Sequence, residues 1–214
     1  MADILLIRHG ETRWNQEEIF RGQADIPLND FGRRQAGALG EALFQWKLKD
    51  PQFFSSPLSR AYETACIAAA FYKQEKRIVK EEAFNDICFG KWEGKTLPQV
   101  RESYPELFAL WEKEPEKVTF PGGESLDAIA DRTEKAIYRL AFARPHKTKV
   151  IISHRAVNKT LLCRLLGLGS NAFWKLRQNT ACINELNFTE AGFILVKLND
   201  TCHLMSLGKD QSDL

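Results

Sequence analysis

The sequence has little that would place the protein in a membrane, in a disulfide scaffold or on nucleic acid. Its longest uninterrupted apolar run, Cys66–Tyr72, is far shorter than the roughly 18 residues that a membrane-spanning helix needs. The five cysteines are widely spaced and form no Cys-x-x-Cys pair, which argues against a disulfide framework or a zinc site. The 30 basic and 28 acidic residues leave a net charge of +2, and no run of five like charges occurs. We therefore expect no nucleic-acid or membrane partner.

The rest of the composition is that of an ordinary globular protein. Apolar residues make up 44% and charged residues 27% of the 214 positions, which excludes disorder, collagen and coiled coil. The segment Met1–Arg8 lacks a basic region and a small-residue cleavage site, so we expect no export signal. Together with the cysteine pattern, this predicts a cytoplasmic protein with reduced thiols.

Alternating apolar segments predict an α/β fold. Short apolar runs predict strands at Asp3–Ile7, Gln52–Ser55, Val150–Ser153, Ala181–Asn187 and Gly192–Leu198. Helical periodicity predicts helices at Leu28–Trp46, Ser59–Tyr72 and Ser125–Phe142, and in a stripe from Val157 to Leu166. Asn29 and Ser125 are the expected N-caps. Strands alternating with helices in this way predict a three-layer α/β/α sandwich around a mostly parallel sheet.

The segment 85–124 has a different character, because glycines and prolines divide it into short pieces that contain two tryptophans. We interpret it as an inserted cap or lid segment. No repeat, low-complexity tract or linker divides the rest of the chain. The sequence therefore predicts one domain over residues 1–214 with a cap-like insertion at about 85–124.

Two of the four histidines directly follow predicted strands. His9 follows the first strand and His154 follows the strand that begins at Val150. In an open parallel sheet, ligands bind beyond the carboxyl ends of the strands, so both rings could face one pocket. Either histidine alone would more often be a structural residue. His146 and His203 lack this placement and are interpreted as structural.

Two arginines are expected at the same edge of the sheet. Arg8 precedes His9, and Arg60 lies in the first turn of the helix that follows the strand Gln52–Ser55. A compact cluster of Arg8, His9, Arg60 and His154 favours a phosphate ligand, because guanidinium groups match phosphate oxygens and helix N-termini add backbone donors. The alternative is that each arginine pairs with a surface carboxylate.

Six motifs, in order along the chain, resemble those of the histidine phosphatase superfamily, the phosphoglycerate mutase-like proteins. The first contains the tripeptide Arg-His-Gly, and the set covers roughly residues 4–188 of this chain. The motifs are Leu6–Asn15, Pro27–Gly32, Ser55–Ala65, Phe89–Gly94, Pro121–Ser125 and Val150–His154.

The resemblance implies a role for each matching residue. His9 resembles the nucleophile that accepts the phosphoryl group and becomes a phosphohistidine. Asp86 matches the position of the acid that protonates the leaving oxygen. Arg21 and Gly22 align with a pair that contacts phosphate or substrate. The positions that surround the phosphate are matched by Arg8, Asn15, Arg60 and His154.

Two residues depart from the family's pattern. Asp86 stands where this branch usually has glutamate, and aspartate is one bond shorter. Either its loop lies closer to the site, or another acid such as Glu93 or Glu82 helps. Arg155 stands where many relatives have glycine after the second histidine, and it adds positive charge beside the expected pocket. The substrate could therefore carry a second anionic group, unless Arg155 turns outward.

The resemblance implies a metal-independent phosphomonoesterase that needs no cofactor and hydrolyses a small phosphorylated metabolite. One alternative is a cofactor-dependent phosphoglycerate mutase, but such mutases carry a longer insertion than Lys95–Pro121. Another is a catalytically weak regulatory binding protein of the same fold, which the change at Asp86 would permit. The sequence leaves the identity of the metabolite and the oligomeric state open.

Overall fold

The computed structural model describes residues 2–143 and 147–208. His146, which we interpreted as structural, lies outside the described residues. No helix in the described ranges is both long and apolar enough to cross a membrane.

A six-stranded sheet forms the centre of the molecule, in the order β3-β2-β4-β1-β5-β6. The first four strands in this order run parallel, β5 runs antiparallel to both of its neighbours, and the sheet is mostly parallel as predicted. The strands are β1 (Ala2–Arg8), β2 (Gln52–Ser55), β3 (Val79–Lys80), β4 (Lys149–Ser153), β5 (Ile183–Thr189) and β6 (Gly192–Asp200). The five predicted strands are present, and the two-residue strand β3 was not predicted because both of its residues are exposed.

In the part of the chain that the structure describes, seven α-helices connect and cover the strands. The four predicted helices correspond to α2, α3, α6 and α7, whereas the shorter α1, α4 and α5 were not predicted. The full set is α1 (Arg13–Gln16), α2 (Asp30–Gln45), α3 (Ser59–Ala70), α4 (Leu97–Ser103), α5 (Pro105–Lys113), α6 (Leu126–Ala143) and α7 (Arg155–Leu165). Both predicted caps are confirmed: the Asn29 side chain accepts a hydrogen bond from the Gly32 amide, and the Ser125 hydroxyl accepts one from the Ala128 amide.

The helices pack on both faces of the sheet, which confirms the predicted three-layer sandwich. On one face, Leu5 and Ile7 of β1 pack in a core with α2 and α3 residues such as Leu39 and Ala65. On the other face, Ile4 and Leu6 pack in a core that includes residues of α6 and α7. The alternation follows from the period-2 direction of strand side chains.

The segment 85–124 packs onto the second of these cores. Its side chains Trp92, Phe108 and Trp111 are buried there beside Ile4 and Leu6. Prolines at the starts of three elements, two of them α-helices, and two 3₁₀ turns keep its elements short. Its function as a cap, and the single-domain organisation of residues 1–214, stay predictions.

Candidate active site

The carboxyl ends of three parallel strands bring the predicted cationic residues together. His9 follows β1, His154 follows β4 and caps α7, and Arg60 lies in the first turn of α3, which follows β2. The two imidazole centroids are 5.2 Å apart. Arg8, His9, Arg60 and His154 are all at most 1% exposed, so the cluster lies inside the protein rather than on its surface.

The His9 ring is fixed by its own backbone. Its Nδ1 lies 2.6 Å from the carbonyl oxygen of Gly10, and because a carbonyl can only accept, Nδ1 carries the proton. Nε2 is therefore the nitrogen with the lone pair. Burial, then the charges of Arg60 and of the other neighbouring basic side chains, hold the pKa of His9 well below its usual value. The ring is neutral near pH 7.

Two backbone hydrogen bonds hold the main chain of His9 in place. The His9 amide donates to the Ser153 carbonyl at 3.0 Å, and the His9 carbonyl accepts from the Ala181 amide at 3.1 Å. Ala181 has a positive φ of 54°, which explains why β5 begins at Ile183 rather than at the predicted Ala181. The turn before β5 thus supports the position of His9 instead of extending the strand.

Close packing explains the glycine after His9. A Cβ atom on Gly10 would lie 2.5 Å from the carbonyl oxygen of Gly32, and one on Gly32 would lie 2.1 Å from that of Glu11. The Gly10 amide also donates to the Thr64 hydroxyl at 3.1 Å. These contacts lock the His9 loop onto α2 and α3.

Arg8 is anchored by a residue that sequence reasoning missed. Its Nη1 donates to the Gln178 carbonyl at 2.7 Å. The Gln178 side chain in turn donates to Asn184 at 2.7 Å, and Asn184 Nδ2 donates to the Leu6 carbonyl at 2.8 Å. Asn184 is a buried amide in β5, and a polar residue within a buried strand is the signal that could have indicated this network.

Asp86 contacts both Arg60 and His154. Its Oδ2 accepts from Arg60 Nη2 at 2.9 Å and lies 3.4 Å from His154 Nδ1. Its Oδ1 accepts from the Ile87 amide at 2.9 Å. The loop therefore places this shorter carboxylate directly against the cationic cluster.

The two other acids that we considered in place of Asp86 have different positions. Glu93 uses Oε1 to accept from the amides of Gln23 and Phe89, at 3.1 and 3.0 Å, and so supports loops. Glu82 is exposed at the start of a 3₁₀ turn. Of these three acids, Asp86 is the one that the structure places beside His154.

The ring nitrogens of His154 are buried and make no hydrogen bond within the described ranges. Burial, followed by the charges of Arg60 and Arg21, lowers the pKa of His154 well below its usual value. A buried, neutral imidazole with unused ring nitrogens can donate to or accept from a ligand. The His154 ring is tilted by 59° to that of His9, which lies beside it.

A cleft of about 710 Å³, counted with its open mouth, adjoins this cluster at Asp86, which lines the cleft and contacts Arg60 and His154. Asn15, Arg21, Gly22, Asp86 and Arg155 all line it, so Arg155 faces the cleft rather than only the surface. Asn15 is buried, and its Oδ1 accepts from the Thr12 amide and hydroxyl at 2.9 and 2.8 Å.

Gly22 contributes its backbone rather than a side chain. Its carbonyl accepts from Arg60 Nη2 at 2.7 Å, and a Cβ atom there would lie 2.2 Å from Glu93 Oε1.

The aromatic residues of the cleft wall were not predicted from the sequence. His203 lies in a 3₁₀ helix after β6 and does not line the cleft. Within the described ranges, no three His, Cys, Asp or Glu side chains are grouped so that they could hold a metal ion.

Comparisons with known proteins agree with this geometry. A model of the histidine phosphatase superfamily (branch 1) matches residues 4–201. Phosphoserine phosphatase 1 of Hydrogenobacter thermophilus is 34% identical over 204 residues, which cover 95% of this chain and 95% of that protein.

A plant relative and a solved structure extend the similarity. The metal-independent phosphoserine phosphatase of Arabidopsis thaliana is 27% identical over 97% of this chain and 85% of its own length. A mutant phosphoserine phosphatase from Entamoeba histolytica, crystallised in complex with phosphoserine, superimposes with a TM-score of 0.84 at 27% identity. The match covers 95% of this chain and 100% of that one.

Proposed function

Because the chain belongs to branch 1 of the histidine phosphatase superfamily, we propose that His9 is the nucleophile of a two-step phosphate ester hydrolysis. The protein is a metal-independent phosphomonoesterase. The observation that carries the proposal is the neutral His9 ring, with Nδ1 bound to the Gly10 carbonyl and Nε2 left to attack.

In the first step, the lone pair of His9 Nε2 forms a bond to phosphorus while the bond to the leaving oxygen breaks. Arg8, Arg60 and His154 stabilise the charge on the equatorial phosphate oxygens, with Asn15 as a further contact. The substrate enters as the phosphate monoanion and competes with Asp86 for the Arg60 guanidinium. The proton of the monoanion passes to Asp86, which gives it to the leaving oxygen. The products of this step are a phosphohistidine and the free alcohol.

In the second step, water attacks the phosphohistidine. Asp86 accepts a proton from this water, the N–P bond breaks, and the electron pair returns to His9 Nε2. Inorganic phosphate leaves and the site is restored. Asp86 thus acts as acid in one step and as base in the other, as microscopic reversibility requires.

Arg21, Gly22 and Arg155 belong to the part of the cleft that receives the rest of the substrate. Two guanidinium groups on this wall favour a substrate with a second anionic group, since each could form a charge-assisted hydrogen bond. Relatives named as phosphoserine phosphatases support a small phosphorylated metabolite of this kind. A cytoplasmic location, and the absence of nucleic-acid partners, stay predictions from the sequence.

The phosphoglycerate mutase alternative is not favoured. It would share the phosphohistidine but would return the phosphoryl group to a product instead of to water. Incubation with 3-phosphoglycerate, with and without the bisphosphate, separates the two reactions. We expect phosphate release without isomer formation, and isomer formation without phosphate release would contradict the proposed function. A binding protein without catalytic activity would turn over neither this ester nor p-nitrophenyl phosphate.

A further inference from the structure

We propose that the outer part of the cleft is an apolar site for the carbon skeleton of the substrate, so that the enzyme prefers phosphate esters of alcohols with an aliphatic or aromatic group. This proposal rests on the proposed function, because it assumes that the phosphate lies at His9.

The walls of the cleft carry the first part of the argument. Asp86 lines the cleft and contacts Arg60 and His154, so the leaving oxygen of the substrate would lie beside it. Most of the remaining wall consists of aliphatic and aromatic side chains, namely Ile19, Phe20, Phe89, Leu97, Trp111 and Phe173. An alcohol that extends outward from Asp86 therefore meets apolar surface.

The apolar wall is preformed. The Phe20 and Phe89 rings pack edge to face with centroids 5.2 Å apart, and those of Trp111 and Phe173 are 5.1 Å apart. Backbone pairing fixes the other side, because the Phe20 amide donates to the Lys95 carbonyl at 3.0 Å and Ile19 bridges to Thr96. Leu97 begins α4 immediately after this bridge. Because these side chains are already held in place, a ligand that binds to them loses little free energy in ordering them.

The chemistry of such a wall selects for apolar groups. Each methylene moved from water onto apolar surface improves binding about fourfold, whereas a polar group without a partner is penalised. The charged residues of the cleft, Glu18, Arg21 and Arg155, leave room for a polar end on the ligand. The aromatic side chains would contact the part of the ligand between that polar end and the phosphate.

A series of straight-chain alkyl phosphates tests the proposal with leaving groups of nearly constant basicity. We expect kcat/KM to rise about fourfold per methylene from ethyl to butyl phosphate, and to level off when the cleft is filled. Leu97→Ala should flatten this rise and affect hexyl phosphate most. Leu168→Ala is the matched control, since Leu168 is 47% exposed and does not line the cleft.

The outcomes separate this inference from the proposed function. A flat series, or an equal rise in Leu97→Ala and the wild type, would overturn the apolar site while phosphohistidine formation still supported the mechanism. Failure of every ester to be hydrolysed, without any phosphohistidine, would overturn both. If Leu97→Ala does not fold, Ile19→Ala tests the same apolar wall.

A separate set of contacts points to Arg132 and Glu124 as positioning residues for Asp86. Arg132 on α6 donates from Nη1 to the Ala83 carbonyl at 2.6 Å and from Nη2 to the Asp86 carbonyl at 3.3 Å. It also pairs with Glu124 through Nε and Nη2, at 3.1 and 3.2 Å. Glu124 Oε2 accepts from the Cys88 amide at 2.9 Å. One ion pair thus holds the loop on both sides of Asp86.

The loop needs this support because residues 85–89 belong to no strand or helix. Asp86 must stay within reach of the leaving oxygen, and displacement of a catalytic group by about 1 Å can cost roughly a hundredfold in rate. The inference rests on Asp86 being the proton donor.

Dependence on the leaving group distinguishes positioning from a general structural role. Arg132→Met should lower kcat on ethyl phosphate at least tenfold and change kcat on p-nitrophenyl phosphate by less than about twofold, because nitrophenolate needs little protonation. Arg139→Met is the control on the same helix, where Arg139 pairs with Glu81 at the surface. Equal losses on both substrates, or the same pattern in the control, would overturn the assignment. Glu124→Gln tests it if Arg132→Met does not fold.

Discussion

Asp86 and Arg60 form a buried ion pair, in which the Asp86 Oδ2 atom lies 2.9 Å from Arg60 Nη2. The Arg60 side chain is fully buried and that of Asp86 is 9% exposed. Removal of one partner leaves an uncompensated buried charge, so an isosteric amide is the appropriate replacement for Asp86. The pair also links the proposed proton donor to the guanidinium that we propose binds the phosphate.

Asp86→Asn should slow substrates with poor leaving groups by roughly 10²–10⁴-fold, the usual scale of general acid catalysis. Turnover of p-nitrophenyl phosphate should be largely spared, because its leaving group needs little protonation. Steady-state rates on ethyl phosphate and p-nitrophenyl phosphate measure the difference. Glu93→Gln is the control, since Glu93 supports backbone amides and should change both rates alike. Equal losses in Asp86→Asn would assign the acid role elsewhere.

Arg155→Ala should raise KM for esters with a second anionic group, such as 3-phosphoglycerate, much more than for glycerol phosphate. Loss of a charge-assisted hydrogen bond is worth about 1.5–3 kcal/mol, which corresponds to roughly 10–150-fold in binding. Arg33→Ala provides the control, because Arg33 pairs with Glu63 and Asp30 at the surface. A similar rise in KM for both esters would mean that Arg155 contributes only a general positive field.

Two glycines of α2 should respond in opposite ways to alanine. Gly32→Ala should destabilise the fold by more than 1 kcal/mol and displace the His9 loop, because the new Cβ would overlap the Glu11 backbone. Gly37→Ala should stabilise by about 0.5–1 kcal/mol, since nothing lies within 4 Å of that position. Urea unfolding measures both changes. Equal effects at the two sites would contradict the close packing of Glu11 on Gly32.

The stability of the fold should fall as pH drops below about 6.5. Burial and the Arg60 charge keep the pKa values of His9 and His154 low in the folded state, so protons bind to these rings first in the unfolded state. The unfolded state binds more protons than the folded state in this pH range. Each histidine therefore lowers the free energy of unfolding by up to about 1.4 kcal/mol for each unit that the pH falls. His154→Gln should remove one such contribution. Unfolding free energies measured from pH 7 to pH 5 check this, and an unchanged slope would contradict it.

Much of the fold and the cationic cluster could be predicted because their signals are local. The apolar runs of β1 and β4 and the cap at Asn29 are visible in neighbouring residues. The placement of His9 and His154 follows from the general rule that ligands bind beyond the carboxyl ends of parallel strands. Family resemblance then supplied the expected roles.

The parts that could not be predicted depend on contacts between distant segments. The support of Arg8 by Gln178 joins residues 170 positions apart, and the Arg132 contact with Ala83 joins residues 49 apart. The direction of Arg155 was undecided from the sequence, since its position at the start of α7 allows either side. Strand β3 has only two residues, Val79 and Lys80, and a segment this short shows no alternation of apolar and polar positions.

The central claim is that His9 becomes phosphorylated, and rapid quench followed by mass spectrometry of the modified peptide tests it most directly. After brief incubation with a ³²P-labelled ester, the wild-type protein should carry an acid-labile phosphate on His9. His9→Ala should fold, as judged by unfolding free energy, but should carry no label and show no turnover. Undiminished label in His9→Ala, or its location on His154, would contradict the account.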